Sequence, residues 1–326
     1  MTNVLFIDDE TMVLEALRRS MRRKPDGWNM HFVDSMDDFW NLIDTQDFDV
    51  VITDMQMPGT SGTDLMRLLQ EKAPETVRIV LSGFKDQEQV IRSEGVHRFL
   101  MKPIMVNNLI QHIGDALDAS IDEDRRAMVY GASSIVTDTR TMERLRAVVD
   151  QDGVRIADLA TLVRNDPGMT AKVLQLGNSG VFSRHPRNLD VDECLSAIGT
   201  ESLRSLLSGN IIWSFAADDP RDAVVRNALD HARDVAARCA TGVQPASQDQ
   251  ATIQLAATLH VAGALLSLPR SNAANVGDFA CDNHDVELAA ALAQLWGIPA
   301  SVVQELHRIA SIGCNEWASS LPKEDA

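Results

Sequence analysis

Three acids, a hydroxyl and an amine in the first third of this chain have the types and placement to do chemistry together: Asp8, Asp9, Asp54, Ser82 and Lys102. Each ends or follows a short apolar run. Val4 to Ile7 leads into Asp8-Asp9-Glu10, and Val50-Val51-Ile52-Thr53 leads into Asp54. Val77 to Leu81 leads into Ser82-Gly83, and His97 to Met101 leads into Lys102-Pro103. Brought to one edge, three carboxylates repel one another. A hard divalent cation held through carboxylate oxygens relieves that repulsion, with Mg²⁺ the natural choice. One carboxylate can then attack a phosphoryl group. The cation and the lysine offset the charge on the transferred oxygens, and the serine hydroxyl can hydrogen-bond them. For Asp54 alone the simpler reading is a strand-ending acid that opens the Met57-Pro58-Gly59 turn. Its companions decide between the two.

The elements that must position these groups alternate. Short apolar runs suggest strands buried on both faces, as in parallel sheets. Between them lie helical patterns at Thr11 to Met21, Ser35 to Ile43, Thr63 to Lys72, Asp86 to Ser93 and Val106 to Leu117, the last with a stripe that could continue toward Met128. With a further strand at Met30 to Val33, five strands alternate with five helices. This predicts an α/β doubly wound sheet over residues 1–120, with its strand ends converging on one edge.

At this point the residues carry a family resemblance. Phe6-Ile7-Asp8-Asp9-Glu10, Ile52-Thr53-Asp54-Met55-Gln56-Met57-Pro58-Gly59, Val80-Leu81-Ser82-Gly83 and Phe99-Leu100-Met101-Lys102-Pro103 together resemble the receiver domain of bacterial two-component response regulators, a flavodoxin-like (βα)5 fold. The resemblance covers about residues 2–118. It implies that Asp54 accepts phosphate from a histidine kinase in a Mg²⁺-dependent step. Asp9, Asp54 and the Gln56 backbone carbonyl would bind the ion directly, and Asp8 would act through water. Ser82 and Lys102 would contact the phosphoryl group. Phe99 stands at the position of the switch aromatic; as a strand aromatic it also reads as ordinary core.

An acidic stretch from Asp115 to Arg126 and the Gly131-Ala132-Ser133-Ser134 break mark a helical or acidic linker at 121–134. From Thr139 onward helical stripes recur without a convincing strand. Breaks fall at Asp166-Pro167-Gly168, Pro186, Asp219-Pro220, Gly242 to Pro245 and Gly297-Ile298-Pro299. An all-α domain over 135–326 follows, long enough for its own core. Three of its segments resemble the HDOD domain, a helical relative of the HD-type metal phosphohydrolases. These are Val163 to Leu174 with Gly177-Asn178-Ser179, then Asp192 to Leu207, and then His231 to Ala236 with Leu259-His260-Val261-Ala262-Gly263 and Trp296-Gly297-Ile298-Pro299.

HD enzymes hold metal with a His, a His-Asp pair and a later Asp. Here His231 and His260 match the two imidazoles, but Val261 replaces the acid of the pair. Ala264 stands at the following Lys position, and Asp285, with His284 one place off, at a later His position. No Gly-Tyr-Pro segment follows His307. Two imidazoles without carboxylates make a poor binuclear hydrolytic centre, so His231 and His260 are expected to be helix-packing residues.

The formal net charge of −17 and a pI of about 4.8 disfavour DNA or an anionic membrane as partner. The cysteines Cys194, Cys239, Cys281 and Cys314 lie far apart with no CxxC pair, which suggests neither a zinc knuckle nor a dithiol motif and fits a reducing compartment. The longest apolar stretch, Leu255 to Leu268, is too short and mixed to span a membrane. The expectation is a cytoplasmic response regulator whose receiver catalyses only its own phosphotransfer. Its HDOD module would bind and regulate another signalling protein, a kinase or a cyclic-dinucleotide enzyme, and receiver faces could pair as a homodimer. The alternatives are a divergent phosphohydrolase of cyclic dinucleotides or nucleotides, and a phosphate sink.

Overall fold

The N-terminal sheet forms because its strands are apolar on both faces. In β3 (Val50–Asp54) the first four residues are fully buried, and β4 (Val77–Ser82) is buried throughout. The computed structural model describes residues 1–321 except 120, 122, 133–134, 152, 183–190, 210–211, 213, 217, 242–249 and 269–278. The expected breaks at Pro186 and at Gly242 to Pro245 lie outside the described residues. Five parallel strands run in the order β2-β1-β3-β4-β5, completed by β1 (Thr2–Ile7), β2 (Trp28–Val33) and β5 (Arg98–Met101). The order reverses direction at β1, so the crevice of the doubly wound sheet opens beyond the ends of β1 and β3.

Helices α1 (Thr11–Ser20), α2 (Met36–Thr45), α3 (Gly62–Lys72), α4 (Gln87–Ile91) and α5 (Val106–Leu117) connect and cover the strands. Ser35 and Ser61 cap α2 and α3, each accepting a backbone N–H three residues on. The fourth helix is shorter than its sequence pattern at both ends: a 3₁₀ turn at Phe84–Asp86 takes up Asp86, and the helix stops at Ile91.

The junction is not one continuous helix. Helix α5 ends at Leu117, and a separate α6 (Glu123–Tyr130) follows. The buried Arg78 on β4 fixes the end of α6: its guanidinium donates to the Tyr130 carbonyl and, at 2.9 Å, to the Thr76 carbonyl.

The second half is helical throughout the described residues: α7 (Thr139–Val149), α8 (Ile156–Arg164), α9 (Pro167–Gly177), α10 (Val191–Ile198), α11 (Thr200–Ser208), α12 (Pro220–Thr241), α13 (Gln250–Leu259), α14 (Ala262–Ser267), α15 (Asn283–Leu295), α16 (Ala300–Ile312) and α17 (Cys314–Ser320). Every residue of α9 is buried, so this helix forms the centre of the helical core. Asp166 starts it by accepting the Met169 N–H at 2.8 Å, with Pro167 in the first helical position, where its missing N–H costs nothing. No helix among the described residues is long and apolar enough to cross a membrane.

The two halves are packed together. Helix α4 lies on α11, and α15 lies on both α5 and α6.

Candidate phosphoacceptor site and its coupling to the helical half

Strand register brings the sequence-predicted residues to one edge. Asp54 ends β3 opposite Leu81, and Ser82 ends β4 opposite Met101. Asp8 and Asp9 follow β1, and Lys102 follows β5. Carboxylate oxygens of Asp8, Asp9 and Asp54 all lie within 4.8 Å of one another. The Lys102 ammonium sits 2.6 Å from Asp54 Oδ1 and 3.0 Å from Asp8 Oδ2. Beside Asp9 a cleft of about 330 Å³, lined in part by Ser35, Met57 and Pro58, leaves the edge open to solvent.

The approach of α3 to this edge requires glycine. A Cβ at Gly62 would collide with the Asp54 carbonyl. The Gly62 N–H donates to the Met55 carbonyl at 2.9 Å, and the Met55 N–H donates to the Leu81 carbonyl at 2.9 Å. These bonds pin the loop that carries Gln56.

Burial raises the Asp54 carboxyl above its ordinary range. Lys102 pulls it down and the Asp8 charge pushes it up again, so burial wins. Burial also works against the Lys102 ammonium, but hydrogen bonds and charge from Asp54 and Asp8 outweigh it and raise its pKa. Among the described residues, one cation, Lys102, pairs with two of the three acids. The donor set is all oxygen, partly buried and net negative, which fits a hard divalent cation held by Asp8, Asp9 and Asp54.

Phe99 is buried in β5 at 1% exposure, opposite Val80. Ser82 is fully buried. It donates to the Gly83 carbonyl at 3.2 Å and to Asp86 Oδ2 at 3.3 Å. Sequence reasoning missed Asp86, which is 5% exposed and also accepts the Gly83 N–H at 2.6 Å and the Gln56 side chain at 2.6 Å. The signal was weak: an acid four residues after a candidate serine reads as the start of a helix.

The next residue crosses to the other half. Gln87 Nε2 donates to the Val181 carbonyl at 3.1 Å. From the opposite side, Gln175 of α9 donates to the Val96 carbonyl at 3.2 Å and the His97 carbonyl at 2.9 Å, and the buried Lys172 holds its oxygen at 2.8 Å. Arg98 of β5 donates to the carbonyls of Gln294 and, at 3.0 Å, Leu295, which end α15 just before Trp296-Gly297. Gln294 returns a bond to the Asp115 carbonyl of α5 at 3.0 Å. The strand that ends in Lys102, its flanking helices and the loop holding Ser82 are therefore the receiver's contact with the helical half.

In the helical half the structure brings His231 of α12 and His260, which follows α13, together with ring centroids 5.1 Å apart. Val261 is fully buried at the start of α14 and supplies no ligand atom. Asp285 is engaged in a capping box with Asp282 at the start of α15, while His284 lies exposed beside Glu287.

Comparison with known proteins gives two family matches. Residues 4–114 match the response regulator receiver domain, and residues 135–300 match the HDOD domain. Among characterised relatives, the hydrogenase transcriptional regulatory protein HoxA of Cupriavidus necator is 34% identical over 119 residues, which is 36% of this chain and 24% of that protein. The transcriptional regulatory protein GlrR of Escherichia coli is 24% identical over 218 residues, 65% of this chain and 47% of that one. The chain thus spans less than half the length of either relative. A response regulator receiver domain from Clostridium thermocellum aligns at 29% identity and a TM-score of 0.33, covering 36% of this chain and 95% of that structure. The signal receiver domain of an HD domain-containing protein from Pseudomonas fluorescens aligns at 24% identity and a TM-score of 0.33, covering 36% and 87%.

Proposed function

The chain belongs to the HDOD family and carries a response regulator receiver domain ahead of its helical half, and on that premise we propose that phosphorylation of Asp54 by a histidine kinase controls how the helical half is held and what it binds. The observation that carries this reading is the ion-paired Asp54-Lys102-Asp8 edge, built on the strand whose neighbours grip the helical half.

Asp54 Oδ1 is the attacking atom. It becomes an acyl phosphate as the donor histidine leaves with the bonding electron pair. Lys102 neutralises charge on the transferred oxygens from its place between the two acids. Asp8, Asp9 and Asp54 would hold Mg²⁺, which supplies charge neutralisation at the phosphoryl oxygens. Ser82 then exchanges its Asp86 partner for a phosphoryl oxygen. That removes one of the partners of Asp86, leaving the Gly83 N–H and the Gln56 side chain, and the shift passes to the next residue, Gln87, loosening its Val181 contact. Phe99, in β5 beside Ser82's strand, adjusts with it. A buried two-position hydroxyl next to an interdomain contact is the kind of bistable element a switch needs.

The helical half acts by contact with another signalling protein, a kinase or cyclic-dinucleotide enzyme, rather than by metal-dependent hydrolysis. Val261 at the position of the missing acid supports this. The acidic chain argues for a protein partner over DNA.

Incubation of the full chain with acetyl phosphate and Mg²⁺ should add one acid-labile phosphate. Asp54→Asn should abolish it, and labelling of that variant at the parent's rate would refute the assignment.

A further inference from the structure

His231 and His260 do not stand alone in the helical core. Cys314, the first residue of α17, joins them: one ligand atom from each of the three lies within 4.8 Å of the other two. His260 is fully buried. Its Nδ1 lies 2.5 Å from the Ala257 carbonyl, which fixes the proton on that nitrogen and leaves the lone pair on Nε2. The Nε2 atoms of both His231 and His260 are buried without a hydrogen-bond partner. Two orphaned imidazole nitrogens facing one another are an expensive arrangement for residues that serve only packing.

Cys281, just before α15, lies beside Cys314 but outside that group of three, its thiol donating to the Asp282 carbonyl at 3.8 Å. Cys281 is 5% and Cys314 1% exposed. The surroundings are apolar: Phe279 packs on His231 at 5.7 Å, and Trp317 meets His260 edge-on at 5.9 Å. The Cys314 backbone N–H is held by Asn283 Oδ1 at 3.1 Å, so the cysteine is positioned by the residue that starts α15.

We propose that His231, His260 and Cys314 hold a zinc ion and that Cys281 turns in from the Asp282 carbonyl to close the site, stapling α17 and the start of α15 to α12 and α13. Two thiolates and two neutral imidazoles are borderline-soft donors that suit zinc and disfavour Mg²⁺ or Mn²⁺. Two thiolates also cancel the charge of Zn²⁺, so the filled site is neutral in an apolar core. Four protein ligands leave no position for water, which makes the site structural rather than hydrolytic. The acid lost at Val261 is thus irrelevant to it: the cysteines replace the carboxylates. Binding releases the proton of each thiol to solvent. The proposal is independent of what happens at Asp54.

The full-length protein, purified without chelator and weighed for metal by mass spectrometry, should carry one zinc per chain. Replacing zinc with Co²⁺ should give the intense tetrahedral d–d bands and the thiolate-to-cobalt charge transfer of a two-thiolate site, a readout that needs no variant. Cys281→Ser with Cys314→Ser should lose the metal and the charge-transfer band, while Cys194→Ser, a buried cysteine elsewhere, keeps both. A preparation that binds neither zinc nor Co²⁺ stoichiometrically overturns the proposal. So does one whose cobalt spectrum is octahedral, whose metal is iron or manganese, or whose metal survives the double cysteine variant.

Discussion

The two halves each gather ligand-type side chains, and they do so in opposite ways. At the receiver edge, three carboxylates and an amine sit beside an open cleft with Asp9 exposed, so a phosphodonor can reach them. In the helical core, two imidazoles and the Cys314 thiol draw together, with Phe279 and Trp317 packed on the imidazoles. An open, hard, charged cluster can exchange ions and react. A closed, soft, neutral cluster can only hold. The same contrast appears in single carboxyls. Burial raises Asp54 at the receiver edge, where Lys102 and a solvent-facing cleft lie beside it. Burial also raises Asp166 in the helical half, to about 6, where its charge is a cost.

The largest effect expected from breaking this contrast is on the receiver side. Lys102→Ala removes the only described cation in contact with Asp54. Labelling with acetyl phosphate should slow roughly 10²-fold, the scale of losing one preorganised stabiliser of transferred charge, while any zinc in the helical half stays unchanged. An equal fall in both would mean that the variant had simply lost its fold.

Next comes Asp166. Its folded pKa of about 6 lies above the ordinary value of 3.8, because full burial outweighs the Thr137 and Met169 bonds and Arg233. An acid raised in the folded state favours folding at pH below about 4. That contribution is lost as pH rises through about 6, amounting to about 3 kcal/mol at neutral pH. Asp166→Asn keeps the helix cap and should flatten the pH dependence of the melting temperature between those limits. An unchanged slope would show that Asp166 does not titrate there.

Gly62→Ala should destabilise the receiver by about 1–3 kcal/mol, read as a lower denaturant midpoint, because its Cβ meets the Asp54 backbone. An effect of similar size is expected at the seam. Gln175→Ala removes the bonds to Val96 and His97 and the oxygen that holds the buried Lys172 ammonium, and should cost about 1–3 kcal/mol. It should raise amide exchange in β5 without changing either cluster.

Much of the receiver was legible because parallel strands announce themselves as apolar runs, and the chemistry sits at their ends. Asp8, Asp9, Asp54, Ser82 and Lys102 were each singled out this way, and the strand ends place them along one edge. Asp86 was not, since its role depends on the Ser82 rotamer and on a 3₁₀ turn that sequence does not mark. In the helical half the element types followed from periodicity, and the histidines from a family pattern. The cysteines were passed over because spacing along the chain was the only test available. Cys314 comes back to the start of α15, beside Asn283, only after the whole of α15 and α16, which no short motif records. The seam between the halves was equally silent: Gln175 and Arg98 look like ordinary helix and strand residues until their carbonyl partners are known.

The central claim is that the phosphorylation edge and the seam are one device. Hydrogen exchange of the full chain, followed at residues 87–101 and 173–182 with Mg²⁺ before and after acetyl phosphate, tests it most directly. The account predicts faster exchange in both segments together on phosphorylation, and no change in Asp54→Asn. Stoichiometric phosphorylation that leaves both segments as protected as before would contradict it.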